Sequence, residues 1–166
     1  MKKLWILLPV LIMSIFGCAT TGVTPQKTQL QIRQFQTRSY ETNDTKMVMK
    51  AMLNVLQDDG FIVKNAVLDI GLLSAEKYVD VENKREAFLA AFFVGANAVW
   101  KKASIIECTA NVSEYGSQTR VRINFQIKVL NNKGGIMKIE QIADEKYYQD
   151  FFSKVDKGIF IQKEKI

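Results

Sequence analysis

Histidine is missing from all 166 residues of this chain. Its absence removes the imidazole base that works near neutral pH, the Ser-His-Asp and Cys-His pairs, and every histidine-ligated zinc centre. Most hydrolase and metalloenzyme designs are thereby excluded, which leaves carboxylate pairs, a Ser-Lys dyad or an oxygen-only calcium site. Cysteine is nearly as scarce, with Cys18 and Cys108 alone. Long apolar runs are lacking too. Leu4 to Phe16 covers thirteen positions and Ala87 to Trp100 fourteen, both short of the roughly 20 residues that carry a helix across a bilayer. Neither an internal repeat nor a low-complexity tract is present.

The amino terminus, by contrast, is strongly patterned. Lys2 and Lys3 open it, the apolar run Leu4 to Phe16 follows, and Ile15-Phe16-Gly17-Cys18 sets a small residue before a cysteine. A basic start, a short apolar core and a small residue at the cut are the three parts of a secretory signal. The segment resembles a bacterial lipoprotein signal peptide with its lipobox. That resemblance implies export, a diacylglycerol thioether on Cys18, cleavage before it and an N-acyl lipid (palmitate or similar) on the new end. Two or more acyl chains hold a protein durably where one alone is marginal. A cut beside Ala19 would instead leave no lipid. Ala19 rather than an aspartate follows the cysteine, which under enterobacterial-type sorting implies the outer membrane, facing the periplasm. The expected organisation is a signal peptide over 1–17, a lipidated tether over 18–29 and one α+β domain over 30–166.

The net charge of +6 includes Lys2 and Lys3, and the remaining cations are spread along the chain. Such a balance favours solubility and attraction to anionic surfaces without specifying a partner. Export removes nucleic acid from the candidates. With Cys18 taken by lipid, Cys108 has no partner for an intrachain disulfide.

Ala19 to Thr28 holds Thr20, Thr21, Gly22, Thr24 and Pro25 with little apolar content and reads as a flexible spacer. A strand is expected over Leu30 to Tyr40. Asn43 and Asp44 cap a helix in which Met47, Val48, Ala51, Met52, Val55 and Leu56 recur at helical spacing until Asp58-Asp59-Gly60. Phe61 to Ala66 and Gly71 to Tyr78 read as a hairpin joined through Val67 to Ile70. Ala87 to Trp100 reads either as a helix buried in the domain or at a subunit contact, or as an interfacial helix with Phe88, Phe92, Phe93 and Trp100 among lipid headgroups.

The best alternation in the chain follows: Ile106, Cys108, Ala110 and Val112, then Val121, Ile123, Phe125, Ile127 and Val129 beyond Tyr115-Gly116-Ser117. It predicts a long antiparallel hairpin with one face buried, one face wet and a firm register. Asn131 to Gly135 is a turn and Ile136 to Ile142 a short further strand. Tyr148, Phe151, Phe152, Val155 and Ile159 form a helical stripe, with Asp144 and Glu145 at its start and Lys154 and Lys157 in a last turn before Gly158.

The layout is therefore an α+β fold, an antiparallel sheet with helices packed on one face. It looks like the helix-grip domains of the lipoprotein C subunit of the outer-membrane β-barrel assembly machinery. It also looks like other bacterial lipoproteins with a similar Tyr-x-x-Phe-Phe ending, here Tyr148-Gln149-Asp150-Phe151-Phe152. The likeness is one of topology and transfers no function by itself.

Few residues suggest chemistry. Cys108 lies on the apolar phase of the hairpin and reads as a buried structural thiol. Asp58 and Asp59 at a helix end read as turn residues and lack the spacing of a calcium loop. Gly134-Gly135 lacks the strand and helix context of a phosphate loop and is turn chemistry. Arg120, Arg122 and Lys128 share one wet strand face, to be joined by Arg33 or Arg38, and offer a basic surface to lipid phosphates or an acidic partner. No catalytic group, cofactor or metal is expected beyond the lipid on Cys18. The sequence thus points to a non-enzymatic binding or assembly module for an envelope protein or lipid, anchored to the membrane. The alternative is a carrier of a hydrophobic ligand held between sheet and helices.

Overall fold

A computed structural model describes residues 27–80, 99 and 101–164. The signal segment, Cys18, most of the tether, and Phe88, Phe92, Phe93 and Trp100 lie outside the described residues.

The first described element overturns an expectation. Residues Gln29–Phe35 form a helix, α1, and only Thr37–Tyr40 form a strand, β1. The cause is local. Thr28 Oγ1 accepts the N–H of Gln31 at 3.3 Å, and Gln31 Oε1 accepts the N–H of Thr28 at 2.8 Å. This reciprocal capping box satisfies two otherwise orphaned donors. The helix then needs only Ile32 to reach the core, while Leu30 stays 77% exposed.

Asp44 caps α2, Thr45–Asp58, by accepting the N–H of Met47 at 2.8 Å. One face of α2 is buried through Val48, Ala51, Met52, Val55 and Leu56. It ends where Gly60 takes φ +83° and the N–H of Phe61 donates to the Leu56 carbonyl at 2.8 Å, a closure that glycine adopts without a Cβ penalty. β2, Ile62–Val67, and β3, Leu72–Asp80, follow as the expected hairpin around a 3-10 turn, Leu68–Ile70. The long hairpin is β4, Lys101–Tyr115, and β5, Gln118–Asn131, with Cys108 opposite Phe125 and Val112 opposite Val121. Then come β6, Ile136–Gln141, and α3, Glu145–Glu164.

The sheet runs β1-β5-β4-β3-β2 with every pairing antiparallel, and β6 also pairs with β5. β1 covers one half of the outer edge of β5, at Thr119 to Arg122, and β6 the other half, at Gln126 to Leu130. Among the described residues the helices lie on one face. Against them point Leu73, Ala75, Cys108, Ala110, Val112, Val121, Ile123 and Phe125, each at most 4% exposed, so the alternation in the sequence is the alternation in burial.

The aromatic stripe of α3 is buried at all five expected positions. Its end is not where Lys154 and Lys157 suggest, because the helix runs on through Gly158 to Glu164. Gly158 serves packing instead of termination: a Cβ there would sit 3.5 Å from Ala51 Cβ of α2. Two small residues thus let the helices approach closely. Among the described residues no helix is long and apolar enough to cross a membrane.

Candidate functional site

The three basic residues do share a face. Arg120 and Arg122 pair across the ladder with Ser113 and Asn111, and Lys128 with Ile105, all on the side away from the helices. They do not form one patch, since the step of eight residues along the strand from Arg120 to Lys128 spans about 26 Å. Lys128 is also committed: its Nζ lies 2.6 Å from Glu107 Oε1, and Gln126 Nε2 donates to Glu107 Oε2 at 2.6 Å. The ammonium of Lys128, aided by Gln126, holds the Glu107 carboxyl below its ordinary range against the opposing effect of burial. The Arg120 guanidinium sits 3.4 Å from the ring centre of Tyr115, and Arg122 is exposed.

Arg38 does not join them. It stands opposite Val121, on the helix side, and its Nη2 is 2.7 Å from Asp156 Oδ2 of α3. Arg33 is exposed in the last turn of α1. Arg120, Arg122 and Lys128 thus share a face as expected, while Arg38 lies on the opposite face of the sheet and Arg33 on α1.

Reading α1 as a strand concealed an open cleft of about 430 Å³ between α1, β1 and the first turns of α3. Phe35 and Phe152 give it apolar walls, while Gln31, Gln34, Thr37 and Gln149 supply donors and acceptors. Lys27 crosses its mouth, 3.6 Å from Glu145 and 4.8 Å from the ring centre of Phe35. The one sequence signal that could have found it is Thr28-Gln29-Leu30-Gln31, a capping box spacing.

A polar node beneath this cleft joins distant parts of the chain. Gln36 is 1% exposed, and its Nε2 donates to Asn124 Oδ1 at 3.0 Å and to Tyr148 Oη at 3.2 Å. Tyr148 Oη also accepts the N–H of Phe125 at 3.1 Å, and Asn124 Oδ1 accepts from Gln141 Nε2 at 2.7 Å. The node fixes α1, β5, β6 and α3 to one another at the point where the two halves of the β5 edge meet.

Nearby, Tyr40 is 8% exposed and its hydroxyl has no hydrogen-bond partner. Burial and the neighbouring Asp156 carboxylate both push its ionisation upward. Cys108 is 1% exposed, and burial pushes its thiol up to about 12, far from the thiolate that reactivity requires.

The remaining candidates have structural partners. Asp59 accepts from Lys154 through its side chain and from Lys77 through its carbonyl at 2.6 Å, closing the end of α2 onto α3 and β3. Asn131 Oδ1 accepts the N–H groups of Lys133 and Gly135, which makes the β5–β6 turn. Among the described residues no group of three or more cysteine or carboxylate side chains converges as a metal site. Between sheet and helices the described space is filled by side chains such as Met52, Leu56, Leu73, Phe125, Tyr148 and Val155, all at 0% exposure. Comparison of the chain with protein-family profiles and with curated proteins gives no match.

Proposed function

We propose that this chain is a bacterial cell-envelope lipoprotein, held at the outer membrane by lipid on Cys18, whose periplasm-facing domain binds another envelope component without catalysing a reaction. The observation that carries the reading is the sequence from Lys2 to Cys18, which has the parts of an export signal and a cysteine where lipid would attach. The domain supports it in a general way. Among the described residues the helices pack on one face of the six-stranded sheet, and the other face carries Arg122, Asn111, Thr109 and Ser113 in the open, where a partner could reach them.

The mass of the native product tests the anchor: the mature end should begin at Cys18 and carry diacylglycerol and an N-acyl chain, and Cys18→Ser should leave the protein unprocessed. An intact Met1 or an unmodified Cys18 sinks the reading. Photo-crosslinkers placed at Asn111 and Arg122 test the binding role. A single discrete adduct from these sites, absent from Lys50 on exposed α2, is the expected result, and none from either face removes the module.

A further inference from the structure

The sheet is longer than the described helices that cover it. α2 ends at Asp58 just before Ile62, which pairs with Glu76, and α3 begins four residues after Gln141, which pairs with Gln126. Glu76, Glu107, Gln126 and Gln141 form one row across the sheet. Beyond that row β3, β4, β5 and β6 all continue.

On the face away from the helices, the next row is Tyr78, Ile105, Lys128 and Ile139, followed by Ala103, Leu130 and Ile136. Tyr78 is 60% exposed, Ile139 53% and Ile136 57%, with Met137 at 47% beside them and Val99 at 49% just before β4. Exposed Lys101 and Lys102 flank this apolar end, and exposed Lys138 lies on its edge strand, 2.6 Å from Glu140. The other half of the same face presents Asn111, Ser113, Arg120, Arg122, Thr37 and Ser39 instead.

We propose that this end of the sheet is a membrane contact, seated in the headgroup and upper acyl region of the bilayer that carries the lipid anchor. Three observations favour a bilayer as the occupant. Apolar side chains and a tyrosine flanked by lysines match the interface, where stems and rings lie in the apolar layer and ammonium groups meet lipid phosphates. All six β6 side chains are exposed, so nothing in the described chain covers the edge. The described chain begins at Lys27, whose ammonium is 3.6 Å from Glu145, the first residue of α3, close in sequence to the end of β6. The tether thus leaves the domain beside the middle row of the sheet, about 17 Å along β6 from Ile136, and the stretch from Cys18 to Lys27, at most about 30 Å long, is enough to carry the anchor to the apolar end. The contact deepens the anchored-lipoprotein reading and rests on it for its membrane.

The test uses the full mature chain in vesicles of phosphatidylethanolamine and phosphatidylglycerol with or without bromine on the acyl chains. Because Cys108 is buried, an Ile139→Cys variant takes a fluorophore selectively at position 139, and Ser113→Cys gives the control on the polar half of the same face. Bromolipid should quench the label at 139 at least threefold more than that at 113. Adding Ile136→Glu and Met137→Glu, both at exposed positions, should abolish the difference while circular dichroism stays unchanged. Equal quenching at both sites overturns the contact. So does burial of the 139 label in a dimer without vesicles, which would make a second copy the occupant. The anchor is read separately from the mass of Cys18. Acylated Cys18 with equal quenching removes the contact and leaves the anchor, whereas a native Cys18 found unmodified by mass, with strong quenching at 139 when the label is placed in a Cys18→Ala background, does the reverse.

Discussion

Gly71 shows how much one position can carry. It holds φ +62° at the turn into β3, and a Cβ there would lie 1.8 Å from the Val112 carbonyl oxygen of β4. The N–H of Val112 donates to the Gly71 carbonyl at 2.8 Å, so the two backbones cannot simply part. Gly71→Ala should destabilise by about 3 kcal/mol or more, since backbone would have to move in a central strand. A midpoint of thermal unfolding within a few degrees of the parent would refute this. Two tyrosines make opposite predictions from one chemical change. Tyr40→Phe removes a buried hydroxyl that has no partner and should be neutral or stabilising by up to about 1 kcal/mol. Tyr148→Phe strips the acceptor from the Phe125 N–H and from Gln36 and should cost about 1–3 kcal/mol. Urea midpoints of the two variants, measured side by side, check both signs.

At the level of elements, the helix pair turns on Gly158. An alanine there meets Ala51 Cβ at ordinary contact distance, and alanine favours helix over glycine by about 1 kcal/mol. Gly158→Ala should therefore hold or raise stability, while Gly158→Leu should push α3 off α2 and lower it by about 1–3 kcal/mol. Equal midpoints for the two would show that the helices are not in close contact at this point. Much of this element structure was legible beforehand. The period-two alternation of β4 and β5 and the aromatic stripe of α3 come from burial on one face, and burial is what periodicity records. What escaped was decided by side-chain hydrogen bonds instead of by burial. The Thr28–Gln31 cap converted an expected strand into α1, and the cleft behind it went unseen with it. Gly158 misled for a related reason, because a glycine needed for helix contact looks the same in sequence as one needed for a stop.

For the molecule as a whole, the sheet with helices on one face was readable from the order of patterned segments. The place of Arg38 on the face opposite Arg120, Arg122 and Lys128 was not, because it depends on the register of β1 against β5. Stability against pH follows from the same packing. The Cys108 thiol is raised in the folded state to about 12 from an unfolded value of about 8.5. Its neutral form therefore stabilises fully below about pH 8.5, and this contribution is lost progressively as pH rises toward about 12, at no more than about 1.4 kcal/mol per pH unit. Urea midpoints at pH 7.5 and 9.5 should differ by about 1 kcal/mol more in the parent than in Cys108→Ala, because the buried tyrosines titrate only at higher pH. Parallel shifts in both proteins would rule the thiol out.

The shared outer edge of β5 carries a consequence for synthesis. Its lower half is sealed by β1, which is synthesised before β5, and its upper half by β6, which is synthesised after it. A nascent or truncated chain that stops before Ile136 would offer a ledge of bare amide and carbonyl groups, ready to be filled by the same strand of a neighbouring molecule. Protection against strand exchange arrives only when β6 has followed β5 out of the exit tunnel.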